Sequence, residues 1–255
     1  MFSLSEERFL WAQNLVQTEG REDHGVGTLS EKSVHAVLKH ALEQYADSRE
    51  VRLGDYVADI VGEHGVIEIQ TKDFKGMRKK LTAFLPLCPV TIVWPCVENL
   101  WIRKVDLETG ETFPRRKSPL HQRPADVFRE LYSIRDLLSS ENLRLKIVRI
   151  EAEELRSIQT FRTRRHERPL KLDRMPVSFL GEMDFEQPND LFRLIPLPAP
   201  IDECFPEPFT VRQLSEVSGL TIDQTRLALK CLCAAGIVDE RGKKGKAFLY
   251  SVHEF

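Results

Sequence analysis

The chain has 255 residues, enough for one or two domains with a buried core, and carries a formal net charge of only −2 at pH 7 with 30% charged residues. That balance excludes the bulk electrostatic signature of a nucleic-acid or membrane-surface protein, so any basic surface must be local. No apolar run is long enough to span a bilayer, the start MFSLSEERFLWAQNL has acids where a signal peptide needs cations, and five cysteines without a Cys-X-X-Cys pair suit reduced thiols, so the expectation is a cytoplasmic protein without a membrane partner.

The first 28 residues read as a short helix and a loop rich in Gly and acids, with no recognisable chemistry. An amphipathic helix follows, with Ser30 as N-cap and Val34, Val37, Leu38, Ala41, Leu42 and Tyr45 at spacings of 3, 4 and 7 residues. Glu31 in its first turn and His35 one turn on border the apolar stripe. A first-turn acid also suits the helix dipole, so position alone leaves the role of Glu31 open.

EVRL, DYVADIV and VIEIQT then read as strands, with GEHG closing a hairpin on Glu63 and His64. Symmetric closure sets Val61 across from Val66 and Asp59 across from Glu68, with Gln70 on the same face. Tyr56, Ala58, Ile60, Ile67 and Ile69 fall on the other. Opposed carboxylates cost stability unless a cation or water screens them, which is the first hint of chemistry. A half-buried hairpin with a solvated polar face gives the same alternation.

A helix over about 74–85 is expected to bury Phe74, Met77, Leu81 and Phe84 and to turn Lys75, Arg78, Lys79 and Lys80 outward. VTIVW and NLWIRKVDLETGE are strands, and the order strand, helix, strand implies a crossover and at least one parallel pair in a mixed sheet. Arg115, Arg116, Lys117 and Arg123 precede a helix over about 125–138, LRLKIVRI is a strand, and RTRRHERPLK is a second basic cluster that includes Arg164 and Arg165. Two such clusters suit phosphate contact, and solvated loops would look the same. LIPLPAPIDECFPEP reads as a linker rich in proline, which sets a boundary near 200 between an α/β domain, 1–199, and a small domain, 200–255.

In the small domain Thr210 with Gln213 and Thr221 with Gln224 form capping-box patterns that open two helices, separated by a turn with Gly219. AGIVDERGKKGKAFLYSV follows as a two-stranded wing with Arg241, Lys243, Lys244 and Lys246 at its tip. Residues 208–255 resemble a winged helix domain. The resemblance implies a second helix that offers Asp223, Gln224, Arg226 and Lys230 to a DNA major groove, with the wing lysines on phosphates, or else a docking module for another protein.

Hard divalent cations such as Mg²⁺ or Mn²⁺ take one or two carboxylates together with waters and substrate phosphates. Asp59 and Glu68, with the carbonyl of Ile69, are the candidate ligands, and Gln70 is the candidate to orient an attacking water. With Glu31 on the preceding helix, Asp59 on one strand and Glu68-Ile69-Gln70 on the next, residues 29 to about 105 resemble the PD-(D/E)XK nuclease superfamily of restriction endonucleases and Holliday-junction resolvases. The resemblance implies a restriction-endonuclease-like mixed sheet flanked by helices, catalytic Glu31, Asp59, Glu68 and Gln70, a Mg²⁺ or Mn²⁺ cofactor, and DNA as substrate. Arg78, Lys79, Arg115, Arg116, Lys117, Arg164 and Arg165 are then the candidate contacts to its backbone. Gln70 stands where most members have lysine. Some branches, including competence-related nucleases, are similar in having Glu-X-Gln, and Lys72 is a candidate for the missing charge. The expected function is a metal-dependent DNA endonuclease held on DNA by the C-terminal domain, with a homodimer suiting two cuts in a duplex. The alternative is a catalytically inactive DNA-binding regulator whose α/β domain senses or dimerises.

Overall fold

The computed structural model describes residues 3–23, 33–162, 167–205 and 208–253. Helix α1 (Glu6–Asp23) opens with Glu6 and Glu7, acids that its positive end favours. Helix α2 (Ser33–Leu42) buries Val34, Val37, Leu38, Ala41 and Leu42, the expected stripe. Tyr45 does not extend that stripe: α2 stops at Leu42, and Tyr45 is 66% exposed ahead of the 3-10 turn Ala46–Ser48.

Strand β1 (Arg49–Leu53) pairs antiparallel with β2 (Tyr56–Gly62), and the two-residue turn Glu63-His64 leads to β3 (Gly65–Ile69). Gly65 has φ +96, and a Cβ there would come within 2.2 Å of the Pro89 carbonyl oxygen, so only glycine fits. Helix α3 (Phe74–Phe84) buries Phe74, Met77, Leu81 and Phe84 as its spacing requires. Strand β4 (Val90–Val105) is one strand where two were expected, and β5 (Arg116–Lys117) pairs with it. The expected helix over 125–138 is α-helical only in α4 (Phe128–Leu131). The 3-10 turns Pro124–Val127 and Tyr132–Leu137 flank it, and Ile134 leaves helical geometry at φ −121.

Strands β6 (Leu143–Arg162) and β7 (Glu167–Phe185) follow, and the described residues of the second basic stretch, 162 and 167–171, lie on them. After the 3-10 turn Pro188–Leu194 come α5 (Ile201–Cys204), β8 (Phe209–Thr210), α6 (Val211–Ser218), α7 (Ile222–Ala234), β9 (Val238–Lys244) and β10 (Ala247–Val252). Both capping boxes form, with Thr210 and Thr221 each accepting from the N3 backbone amide, and Gly219 ends α6 in the left-handed conformation at φ +66.

The protein is α/β, with a large mixed sheet flanked by helices. Its strand order is β1-β2-β3-β4-β6-β7, with β5 on β4, and a second sheet has the order β8-β10-β9. The parallel pair that the crossover demands is β3 with β4, Val66 level with Val90 and Ile69 with Val93. The chain divides into two compact units. In the first (residues 1–62, 95–123 and 147–183), α1 packs on α2, and Phe9, Leu38, Ile60, Ile150 and Ala152 are buried. In the second (residues 63–94, 124–146 and 184–255), Phe74, Leu81, Ile92, Trp94, Phe128 and Phe185 are buried, and α7 lies on α4 and the turn Tyr132–Leu137.

Candidate functional site

Val66 to Ile69 of β3 are all buried, so both faces of the strand are covered, and Glu68 is 3% exposed rather than on the solvated face of a hairpin. A buried carboxylate needs a compensating charge. Lys80 of α3 supplies it, with Nζ 2.6 Å from Glu68 Oε2. This corrects the reading of Lys80 as an outward residue. It stands three residues after Met77 and one before Leu81, on the flank of the buried stripe, where a long stem can carry an ammonium inward. That spacing was the available signal.

The side-chain amide of Gln70 donates to the carbonyls of Lys72, at 2.5 Å, and Asp73, at 3.3 Å. It thereby ties down the β3–α3 turn. Asp73 takes a left-handed φ of +60 there, and Glu130 Oε2 accepts from the backbone amides of Asp73 (2.7 Å) and Phe74 (3.3 Å) at the N-terminus of α3. Lys72 is exposed, and its carbonyl is what Gln70 holds.

Asp59 lies in the first unit, on β2, with His35 Nε2 of α2 at 3.3 Å from its Oδ2. Alongside, buried Lys39 donates Nζ to Glu50 Oε1 at 2.8 Å. Glu50 falls between the pairs Arg49–Ile60 and Val51–Ala58, level with Asp59, and has a left-handed φ of +54. The hydrogen bond and charge of Lys39 hold its carboxyl below the ordinary value, against burial and the charge of Asp59. Sequence reading missed Lys39 and Glu50; the β1–β2 register, once known, is what finds Glu50. Glu31 lies outside the described residues. The first described residue of α2, Ser33, donates its amide and hydroxyl to Asp173.

Among the described residues no group of three or more His, Cys, Asp and Glu side chains stands at metal-holding spacing. The donors the motif names are carboxylates and one carbonyl, hard oxygens of the kind Mg²⁺ or Mn²⁺ takes while keeping waters, and the set lacks the sulfur and nitrogen ligands of a structural zinc site.

The basic candidates divide. Arg78 is committed to Asp136 in a two-pronged pair and to the Ser133 carbonyl, whereas Lys79 is exposed. Arg115 lies 4.6 Å from the Trp101 ring centroid and 3.5 Å from Glu153, while Arg116 and Lys117 are exposed on β5. Arg164 and Arg165 lie outside the described residues. On α7, Gln224 and Lys230 do not project together from an open face. Gln224 Nε2 donates to Asp126 Oδ1 at 2.7 Å on the side of the helix that lies on the 124–137 segment, whereas Lys230 is exposed, its ammonium 5.5 Å from the Tyr132 ring centroid. Arg226 pairs with Asp223 at 3.0 Å. Lys243 lies over the Phe248 ring at 4.3 Å, and Lys244 is exposed.

A large mixed sheet flanked by helices defines an α/β protein. The chain belongs to the family described as a domain of unknown function, DUF8091, whose model matches residues 32–186. That span takes in Asp59, Glu68, Gln70 and Lys80 and stops short of α5 to β10. The chain is also similar to an uncharacterized protein of Treponema pallidum (strain Nichols), 28% identical over 226 residues that cover 88% of this chain and 86% of the relative. No solved structure gives a significant match.

Proposed function

We propose that the protein is a metal-dependent DNA endonuclease of a variant PD-(D/E)XK kind, with a restriction-endonuclease-like α/β part and a C-terminal winged helix module that holds DNA. The pair of buried Glu68 with half-buried Lys80 carries the reading. A buried carboxylate with its counter-ion is seldom worth more to stability than apolar side chains of the same volume, so Glu68, two residues before Gln70, calls for a chemical reason. Lys80 brings, from the helix after the motif, the ammonium that the motif lacks at Gln70.

Asp59 and Glu68 are the acids of the motif that hold the cation. A bound Mg²⁺ or Mn²⁺ supplies polarisation of a phosphodiester oxygen and a more acidic water. The chain's own groups do the rest. Lys80 balances Glu68 and the negative charge that grows on the phosphate, His35 orients the Asp59 carboxylate, and Gln70 fixes the turn that carries Lys80's helix.

The test is cleavage of supercoiled plasmid in Mg²⁺ or Mn²⁺. Wild type nicks it, and Asp59→Asn, Glu68→Gln and Lys80→Met each slow nicking by about 100-fold or more. Cleavage that survives Asp59→Asn or Glu68→Gln sinks the assignment. One observation favours the second reading, a non-cutting DNA-binding regulator: the Gln70 amide is spent on two backbone carbonyls. Duplex binding by wild type without cation-dependent cutting would establish that reading instead.

A further inference from the structure

We infer that α7 is an internal clamp, and that the C-terminal module meets nucleic acid through the wing β9–β10, on the phosphate backbone and without reading bases. The inference rests on the DNA reading above and departs from a helix laid in the groove.

A helix that reads a major groove needs an open face from which several side chains reach base edges. Two faces of α7 are already used. Thr225, Ala228, Leu229 and Leu232 are buried in the module's own core. The neighbouring stripe is occupied by the 124–137 segment. Gln224 bonds Asp126, and seven residues on, the buried Cys231 thiol donates to the Phe128 carbonyl at 3.7 Å. Gln224 cannot swing away cheaply, because its Oε1 also accepts from the Thr221 amide at 3.0 Å and closes the capping box. On the remaining face Asp223 and Arg226 neutralise each other, and Lys230 leans toward Tyr132. That face carries one net positive charge, from Lys230, against four on the wing.

The wing is the opposite. Residues 241–249 contain four cations and no acid, and Lys243, Lys244 and Lys246 are exposed. β9 is an edge strand of its sheet, and Gly242 and Gly245 take positive φ values that let the ribbon turn. Arg241 is anchored by Asp239 and by Ser251, so the ribbon's root is held while its tip carries the charge. Lysines on an exposed ribbon neutralise phosphates with counterion release and little regard for sequence.

The experiment titrates the full chain against two short labelled duplexes of unrelated sequence by fluorescence anisotropy, across a range of salt. Wild type is expected to bind both alike. The triple change Lys243→Glu, Lys244→Glu, Lys246→Glu should weaken binding at least about tenfold and flatten the salt slope by about 2–3, and the milder triple change to Gln should act in the same direction if charge reversal disturbs folding. Arg226→Glu should change affinity less than about twofold. If Arg226→Glu abolishes binding while both wing variants bind normally, or if wild type strongly prefers one duplex, the inference fails and the DNA reading stands. If wild type binds neither duplex, whether or not it binds vesicles of anionic lipid, both fail.

Discussion

Replacing Lys80 with methionine takes the ammonium from a carboxylate that is 3% exposed, and the cost of such a loss is usually about 3–5 kcal/mol. Changing Glu68 to methionine as well should return most of that stability, because the desolvation of the charge goes with it. Urea midpoints at neutral pH measure both. Mn²⁺ adds a readout independent of cutting: if the motif acids hold the cation, it should raise the midpoint of Lys80→Met by mass action, and a midpoint indifferent to Mn²⁺ counts against the metal. At this scale the carboxylates were legible, since Asp59 and Glu68 stand out of apolar strand patterns. Their partners were not. Periodicity assigns a side chain to a face of its own element, whereas Lys80 and Lys39 act through long stems that leave it.

Elements were legible where local chemistry decides them. The stripes of α2 and α3, the parallel pair β3–β4 and both capping boxes follow from spacing alone. The long strands did not, because their charged residues suggest loops until the neighbouring strand is known. Arg103 meets Glu153, Arg149 meets Glu98 and Arg174 meets Glu154 across neighbouring strands, while Arg156 reaches Glu154 along its own strand. The 124–137 segment misleads differently. Phe128, Leu131 and Ile134 are buried at a strict spacing of three, the period of the 3-10 turns that flank α4. Thr210→Ala and Thr221→Ala should each cost about 1 kcal/mol in denaturant titrations. Only Thr221→Ala should also loosen α7 from Asp126, since Gln224 serves both contacts, and hydrogen exchange along α7 should rise in that variant alone.

For the whole molecule the same pairs set the range of pH in which it is stable. Lys39 beside Glu50, Arg103 beside Glu153 and Arg78 beside Asp136 hold those carboxyls below their ordinary values. For Glu154 burial pushes upward, but Arg174 and Arg156 outweigh it and the net shift is down. A depressed folded pKa means stability that is present above the unfolded value, near 4.5 for Glu, and lost as pH falls through the folded value. Burial pushes the Cys231 thiol up to about 12 and the Cys233 thiol up to about 11, from 9.0. Their contribution has the opposite sign, present below 9.0 and lost as pH rises toward those values, because only the unfolded chain can ionise them cheaply. Thermal midpoints should therefore fall below about pH 4.5 and above about pH 9. Cys231→Ala should flatten the alkaline limb. Because Cys231 is buried where α7 meets α4, its alkylation by iodoacetamide also reports the clamp: the thiol should stay protected when a duplex is bound, and duplex-accelerated alkylation would show that α7 lifts off to meet the DNA.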